Sequence, residues 1–150
     1  MRHEEGFRPE ALRALYAIEK KCFPAGQRWT WNQFRTNLKL STCWTAYAAN
    51  TKKKAWPLEI PVGLIVTWAQ DGEGYIASLG VDPKWRGTGV GTELLGLAEN
   101  FYRAGGFKSV VLAVLVDNPA QKMYFDRGYR VFACRKRPGG SASVKMRKML

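Results

Sequence analysis

Residues 81–95 read "VDPKWRGTGVGTELL" and place Gly87, Gly89 and Gly91 in five positions between a β-branched run and an amphipathic helix. Glycine lets a backbone turn through positive φ and lets another molecule approach without meeting a Cβ. The start of a helix adds four unpaired N–H groups and about half a positive charge. A loop of this kind running into a helix suits an anion such as phosphate or diphosphate, and Lys84 and Arg86 add charge beside it. Spacing separates the alternatives. A P-loop needs Lys-Ser/Thr after its last glycine, whereas Gly91 is followed by Thr92 and Glu93. A dinucleotide fingerprint needs G-x-G-x-x-G and an acidic residue about 20 positions on. Here the pattern is G-x-G-x-G, and residue 109 is Ser. A third pattern, R/Q-x-x-G-x-G/A, is met by "RGTGVG" from Arg86 to Gly91.

Working outward, "VGLIVTWAQ" and "GEGYIASLGV" are two apolar runs joined by "DGEG", which predicts a β-hairpin. After the glycines, "GTELLGLAENFYRAG" predicts a helix with Leu94, Leu95, Ala98 and either Phe101 or Tyr102 on its core face, ended by Gly105 and Gly106. "SVVLAVLV" is a continuous apolar strand, and "DNPAQKMYFDRG" a short helix with Asn118 as cap and Pro119 at its first position. "YRVFACR" and "SASVKMRKML" predict two closing strands around "RPGG". On the other side, Leu12, Leu15, Ile18 and Cys22 are at helical spacing and predict a helix from Pro9 to Lys21. "TWNQFRTNLKL" predicts a second, with Thr30 as N-cap and Gln33 completing a capping box. "CWTAYAAN" alternates as a strand, and "TKKKAWPLEIP" reads as a loop. No strand is evident in "MRHEEGF". The class is α+β, or mixed α/β on one sheet, as a single domain over residues 1–150.

Bulk properties narrow the function. A chain of 150 residues suits one core, and six Trp argue against disorder. The opening "MRHEEGFRPEALRALY" lacks the apolar centre of a secretory signal, and no stretch reaches the roughly 18 apolar residues of a membrane span. Cys22, Cys43 and Cys134 are an odd number without metal-ligand spacing, so reduced thiols and a cytoplasmic location are expected. His3 is the only histidine, which removes Ser-His and Cys-His catalysis and leaves no metal site expected. The net charge is +12, and no acidic residue follows Asp126 while eight basic ones do. Such a field attracts polyanions: a phosphorylated cofactor, RNA or an acidic protein.

In this setting the hexapeptide carries a resemblance. The segment from "YIASLGVDPKWRGTGVG" to "NPAQKMYFDRGYRVF" resembles the core of the GCN5-related N-acetyltransferases, over residues 60 to 135 or so. "NPAQKMYFDRGY" is similar to that family's N…A…hY…GF pattern. "IEKKCF" with "WTWNQF" is similar to the opening helices of its ribosomal-protein N-terminal acetyltransferase branch. The resemblance implies a mostly antiparallel sheet, splayed between two central strands and flanked by the four helices named above. It implies acetyl-coenzyme A as acyl donor, with its diphosphate on the amides of Gly87, Thr88, Gly89, Val90, Gly91 and Thr92 beside Arg86. The pantetheine arm would pair with the edge of Leu79, Gly80 and Val81, where an unpaired buried backbone group costs about 1–3 kcal/mol. Tyr124 matches the family's general acid and Asn118 its cofactor-assisting Asn, although helix capping alone also explains Asn118.

The base departs from the branch, where a glutamate often stands five positions before the Asn. Here that position is Ala113, and "VVLAVLV" has no ionisable residue. Glu19, Glu73, Asp117 or ordered water remain, each carboxylate being expected at the surface. An α-amine has a pKa of about 7.7–8.0 and is about one-tenth neutral near neutral pH, whereas a lysine near 10.4 is neutral less than about once in a thousand. A weak base therefore favours α-amines, so a protein or peptide N-terminus is the expected acceptor. Trp29, with Trp31 and Phe34, lies where the family's acceptor groove is walled, and Glu19 and Trp29 are the acceptor-side residues expected. Ribosome or RNA association through the basic surface is a further expectation, as is a monomer or homodimer. Alternatives are an acetyltransferase for aminoacyl-tRNA or a small amine, a non-catalytic coenzyme A-binding module, and a plain RNA-binding domain. Cationic small amines rank lower because a +12 chain repels them, and no RNP-type or KH-type signature supports the last.

Overall fold

Asp71 and Gly72 both take positive φ, 52° and 78°, as a two-residue type I′ turn requires. They join strands β3 (Glu59–Gln70) and β4 (Glu73–Val81), the predicted hairpin. The computed structural model describes residues 1–49, 59–136 and 138–150. Before the hairpin lie β1 (Arg2–Glu5), a 3-10 turn (Pro9–Ala11), α1 (Leu12–Cys22), α2 (Trp31–Leu40) and β2 (Thr42–Ala49). After it come a 3-10 turn (Pro83–Trp85), α3 (Val90–Ala104), β5 (Ser109–Leu115), α4 (Ala120–Asp126), β6 (Arg130–Lys136) and β7 (Ala142–Met149). The strands form one seven-stranded sheet in the order β1-β2-β3-β4-β5-β7-β6. β1–β2, β2–β3, β5–β7 and β6–β7 are antiparallel. β4 and β5 are parallel, with a ladder of three pairs, Gly74↔Val110, Tyr75↔Val111 and Ile76↔Leu112. The class is therefore mixed α/β.

Several boundaries differ from the sequence expectation. A strand does precede the first helix: β1 pairs with β2 from Arg2↔Tyr47 to Glu5↔Trp44. It has no apolar alternation to betray it. Backbone pairing holds it, together with the ion pairs of Arg8 with Glu4 and Glu59. The loop expected over 51–61 gives up its last residues, since β3 begins at Glu59, and the rest lies outside the described residues. The first helix opens as a 3-10 turn at Pro9 and ends at Cys22, not Lys21. The capping box at Thr30 forms in full, with Gln33 N donating to Thr30 Oγ1 and Thr30 N to Gln33 Oε1.

The described chain divides into two compact units. One comprises Met1–Thr67 and Ser78–Ala98. Leu15 and Ile18 of α1, Phe34 and Leu38 of α2, Val62, Leu64, Ile65 and Val66 of β3, and Val90, Leu94 and Leu95 of α3 are buried there. Each such side chain contributes about 1.5–3 kcal/mol by leaving water. The other comprises Trp68–Ala77 and Glu99–Leu150, with Tyr102, Val110, Leu112, Val114, Tyr129 and Met146 inside. On α3 it is Tyr102, 2% exposed, that faces this core, whereas Phe101 is 42% exposed. Gly74 makes room for it: a Cβ there would fall 2.5 Å from the Tyr102 ring.

Candidate active site

The first unit carries the glycine loop. Gly87 and Gly89 take φ of 74° and 94°, which a side chain would resist. A Cβ on Gly87 would meet no atom within 4 Å, so the space over that amide is open. Glu93 N donates to Gly89 O as the first bond into α3. No backbone bond outside the helices is donated by the amides of Gly87 to Thr92 among the described residues. The loop thus brings two positive-φ glycines, with open space over Gly87, to the start of α3. The turn is braced from below. Asp82 accepts from Lys84 N at 3.0 Å, pairs with Lys21 Nζ at 2.6 Å, and its own N–H donates to Val62 O. Burial opposes ionisation of Asp82, but these bonds and the charges of Lys21 and Lys84 hold its carboxyl below the usual range.

Two glycines outside the loop set its position. A Cβ on Gly63 of β3 would lie 2.9 Å from Val90 Cγ1, 3.0 Å from Leu94 Cδ1 and 3.3 Å from Gly80 O. A Cβ on Gly80 would lie 3.4 Å from both Cys22 Sγ and Ile18 Cγ2. The first turn of α3 thus presses onto β3, and α1 onto β4. Sequence reasoning had named Gly80 only for its backbone and had missed Gly63; a lone glycine within an apolar strand was the available signal. Arg86 is exposed, and its guanidinium turns back onto the end of β4: Nε donates to Val81 O at 3.3 Å and Nη2 to Cys22 Sγ at 3.6 Å. Leu79, Gly80, Val81 and Arg86 through Thr92 are thereby gathered in one unit.

The same unit holds Glu19 and Trp29. Glu19 is buried, 5% exposed, not the surface carboxylate expected from sequence. Its Oε2 accepts from Ser78 Oγ on β4 at 3.1 Å and its Oε1 from the Trp29 N–H at 3.4 Å. Burial raises its pKa; the bonds from Ser78 and Trp29 and the charge of Arg28 partly offset that. Trp29 is half-buried, its carbonyl accepts from Tyr16 Oη, and its ring leans on Phe34 at 6.4 Å. Phe34 itself is wholly core, and Trp31 stacks edge-on to Tyr16.

The second unit carries Tyr124 and Asn118. Tyr124, 7% exposed, lies on α4 edge-on to Tyr129 at 5.8 Å. Burial pushes its pKa up to about 12, so the hydroxyl is a proton donor at neutral pH. Asn118 caps α4 from one residue further out than expected: Pro119 occupies the cap position, while Asn118 Oδ1 accepts from Ala120 N at 2.9 Å. Gln121 Nε2 ties the same turn to the carbonyls of Leu115 and Val116. Ala113 is exposed, opposite Lys145. Glu73 is bound by Arg147 and Ser109 and Asp117 is exposed. The Arg147 hydrogen bond holds the Glu73 carboxyl below its usual range, which makes it a poor base.

The sequence matches the model of the acetyltransferase (GNAT) family over residues 12–129. The chain belongs to that family. An uncharacterized N-acetyltransferase of Methanocaldococcus jannaschii is 41% identical over 71 residues, 46% of this chain and 46% of that one. The match thus spans about half the length of that curated relative. The ribosomal-protein-S18-alanine N-acetyltransferase of Escherichia coli aligns with a TM-score of 0.77 at 18% identity, over 99% of this chain and 94% of its own. The NatC complex bound to Gag peptide and coenzyme A aligns at 0.80 and 18% identity, over 99% and 98%. At such identities the likeness is one of fold. GNAT proteins use acetyl-coenzyme A, and the residues of this GNAT chain fit that donor. Open, positive-φ amides at a helix start suit a diphosphate, and a protonated buried tyrosine suits a departing thiolate.

Proposed function

We propose that this chain is an acetyl-coenzyme A-dependent N-acetyltransferase acting on the α-amine of a protein or peptide N-terminus. The observation that supports this is the turn at Gly87–Thr92 entering α3, where Gly87 and Gly89 take positive φ and the space over Gly87 is open. When bound, acetyl-coenzyme A supplies the acyl group as a thioester. The amides of Gly87 through Thr92 hold its diphosphate, and the edge of Leu79, Gly80 and Val81 pairs with its amide-rich arm. To do so the Val81 carbonyl exchanges its present bond from Arg86, which frees that guanidinium for the phosphates. Tyr124 gives a proton to the leaving sulfur, and Asn118 holds the start of α4. Trp29 walls the acceptor side, its backbone fixed at both ends by Glu19 and Tyr16. All of these belong to one catalytic domain spanning residues 1–150.

The α-amine preference follows from the carboxylates: Glu73 is paired with a cation, Asp117 is exposed, and Ala113 is not ionisable. No carboxylate here approaches the basicity that a lysine ammonium demands, so an α-amine of low pKa gives up its proton more readily. The relatives named above are consistent with this, one modifying an alanine of a ribosomal protein and another holding a peptide with coenzyme A. The test is twofold. Acetyl-coenzyme A should raise the melting temperature, and thiol release should be faster with peptides bearing a free N-terminus than with N-blocked peptides bearing lysine. Stabilisation without release for every amine would leave a coenzyme A-binding module instead.

A further inference from the structure

The chain has twelve acidic residues, and only Glu19 and Glu99 are buried. Glu99 is fully committed: Arg127 reaches it at 2.6 Å and Lys148 at 2.8 Å. Glu19 has no ion-pair partner among the described residues. Its hydrogen-bond partners are a hydroxyl and a backbone amide, at 3.1 and 3.4 Å. A buried carboxylate left without a cation is costly, and a purely structural role would be served as well by Gln. The hydroxyl it receives belongs to Ser78, the residue before Leu79 on β4. Ser78 shares the α1-facing side of that strand with Gly80, whose Cβ direction meets Ile18 and Cys22 of α1. The amide it receives belongs to Trp29, in the loop between α1 and α2. One carboxylate therefore joins the acyl-donor strand to the acceptor-side loop.

We propose that the Ser78 hydroxyl and Glu19 together accept the proton of the incoming amine, Ser78 as the contacting group and Glu19 as the residue acting through it. This deepens the acetyltransferase reading and rests on it. The ammonium proton passes to Ser78 Oγ as the Ser78 proton passes to Glu19 Oε2 along the bond already in place. The neutral amine then forms its C–N bond as the C–S bond breaks, and the second nitrogen proton ends on the departing sulfur. Glu19 returns its proton to solvent. Nothing is oxidised or reduced. Burial keeps the carboxyl protonatable closer to neutrality than an exposed glutamate. Of the groups on the elements packed around it, Arg28 is charged, and Tyr16, Cys22 and Ser78 are polar.

The experiment uses the full chain with acetyl-coenzyme A and an N-terminal alanine peptide. In the wild type, kcat/KM should fall on the acid side through an ionisation above the ordinary glutamate range. The side-chain carboxyl carbon of Glu19 should titrate at the same pH by NMR in the protein alone. Glu19→Gln should abolish that acid limb and lower kcat on the order of 10²-fold, with the acetyl-coenzyme A KM unchanged. Ser78→Ala removes both the contacting hydroxyl and a bond that favours the ionised carboxylate, so kcat should fall and the residual acid limb should move to higher pH, and this variant carries the test if Glu19→Gln fails to fold. An acid limb unmoved in either folded variant overturns the proposal while leaving the acetyltransferase reading intact. A wild type that releases no more thiol with the peptide than without it overturns both.

Discussion

At the scale of single residues, the proposed function rests on two unlike devices, a backbone that turns the wrong way for most side chains and a phenol that stays protonated. Gly87→Ala forces a Cβ into φ 74° at a cost of about 1–2 kcal/mol. The space there is open, so the chain relieves that strain by leaving the turn. Acetyl-coenzyme A should then bind about tenfold more weakly by calorimetry. Tyr124→Phe keeps the ring against Tyr129 and removes only the proton. Turnover should drop on the order of 10²-fold while acetyl-coenzyme A affinity holds. Because burial pushes Tyr124 to about 12, an alkaline fall in rate well below that pH would point to another group. The positive-φ turn at Gly87 and Gly89 was legible from the motif, since it depends on residue type and spacing. Glu19 was legible as a residue but not as a buried one. Its environment comes from Ser78, 59 positions away, and no local pattern encodes that.

At the scale of elements, α3 is held at both ends by features of different kinds. Its first turn needs the missing side chain of Gly63, and Gly63→Ala should push Val90 and Leu94 back, costing about 1–3 kcal/mol in chemical denaturation. Its last turns carry Glu99, where Arg127 from the end of α4 and Lys148 from β7 converge. Burial works against ionisation of Glu99, yet those two cations hold its carboxyl below the usual range. Its contribution is therefore present above the unfolded carboxyl pKa and fades as the pH falls through the lower folded value. Glu99→Gln should cost about 3 kcal/mol at neutral pH, and the gap to the wild type should close in acid. The hairpin, the capping box and the order of elements after β2 could be read from periodicity and turn residues. β1 could not, because a short polar edge strand is specified by the strand it joins.

For the whole molecule, the basic run after Asp126 is less free than the sequence implies, although the net +12 already counts its acidic partners. Of the eight basic residues after Asp126, Arg127 and Lys148 neutralise Glu99, and Arg147 neutralises Glu73. Basic residues that looked like a nucleic-acid tail thus serve partly as internal counter-charge. The remainder should still draw in an anionic acyl donor, so acetyl-coenzyme A affinity should weaken as salt shortens the screening length. At a donor concentration of 100 times its dissociation constant, binding should add about 2.7 kcal/mol to stability.

The two-residue turn at Asp71–Gly72 also has a kinetic meaning. Its strands are neighbours in sequence, so they can zip within about 1–10 μs, long before distant partners find each other. The strand proposed to receive the thioester is then among the first surfaces made, offering β5 and α1 a template on which to condense. A bulky residue at Gly72, where φ is 78°, should slow refolding more than it speeds unfolding.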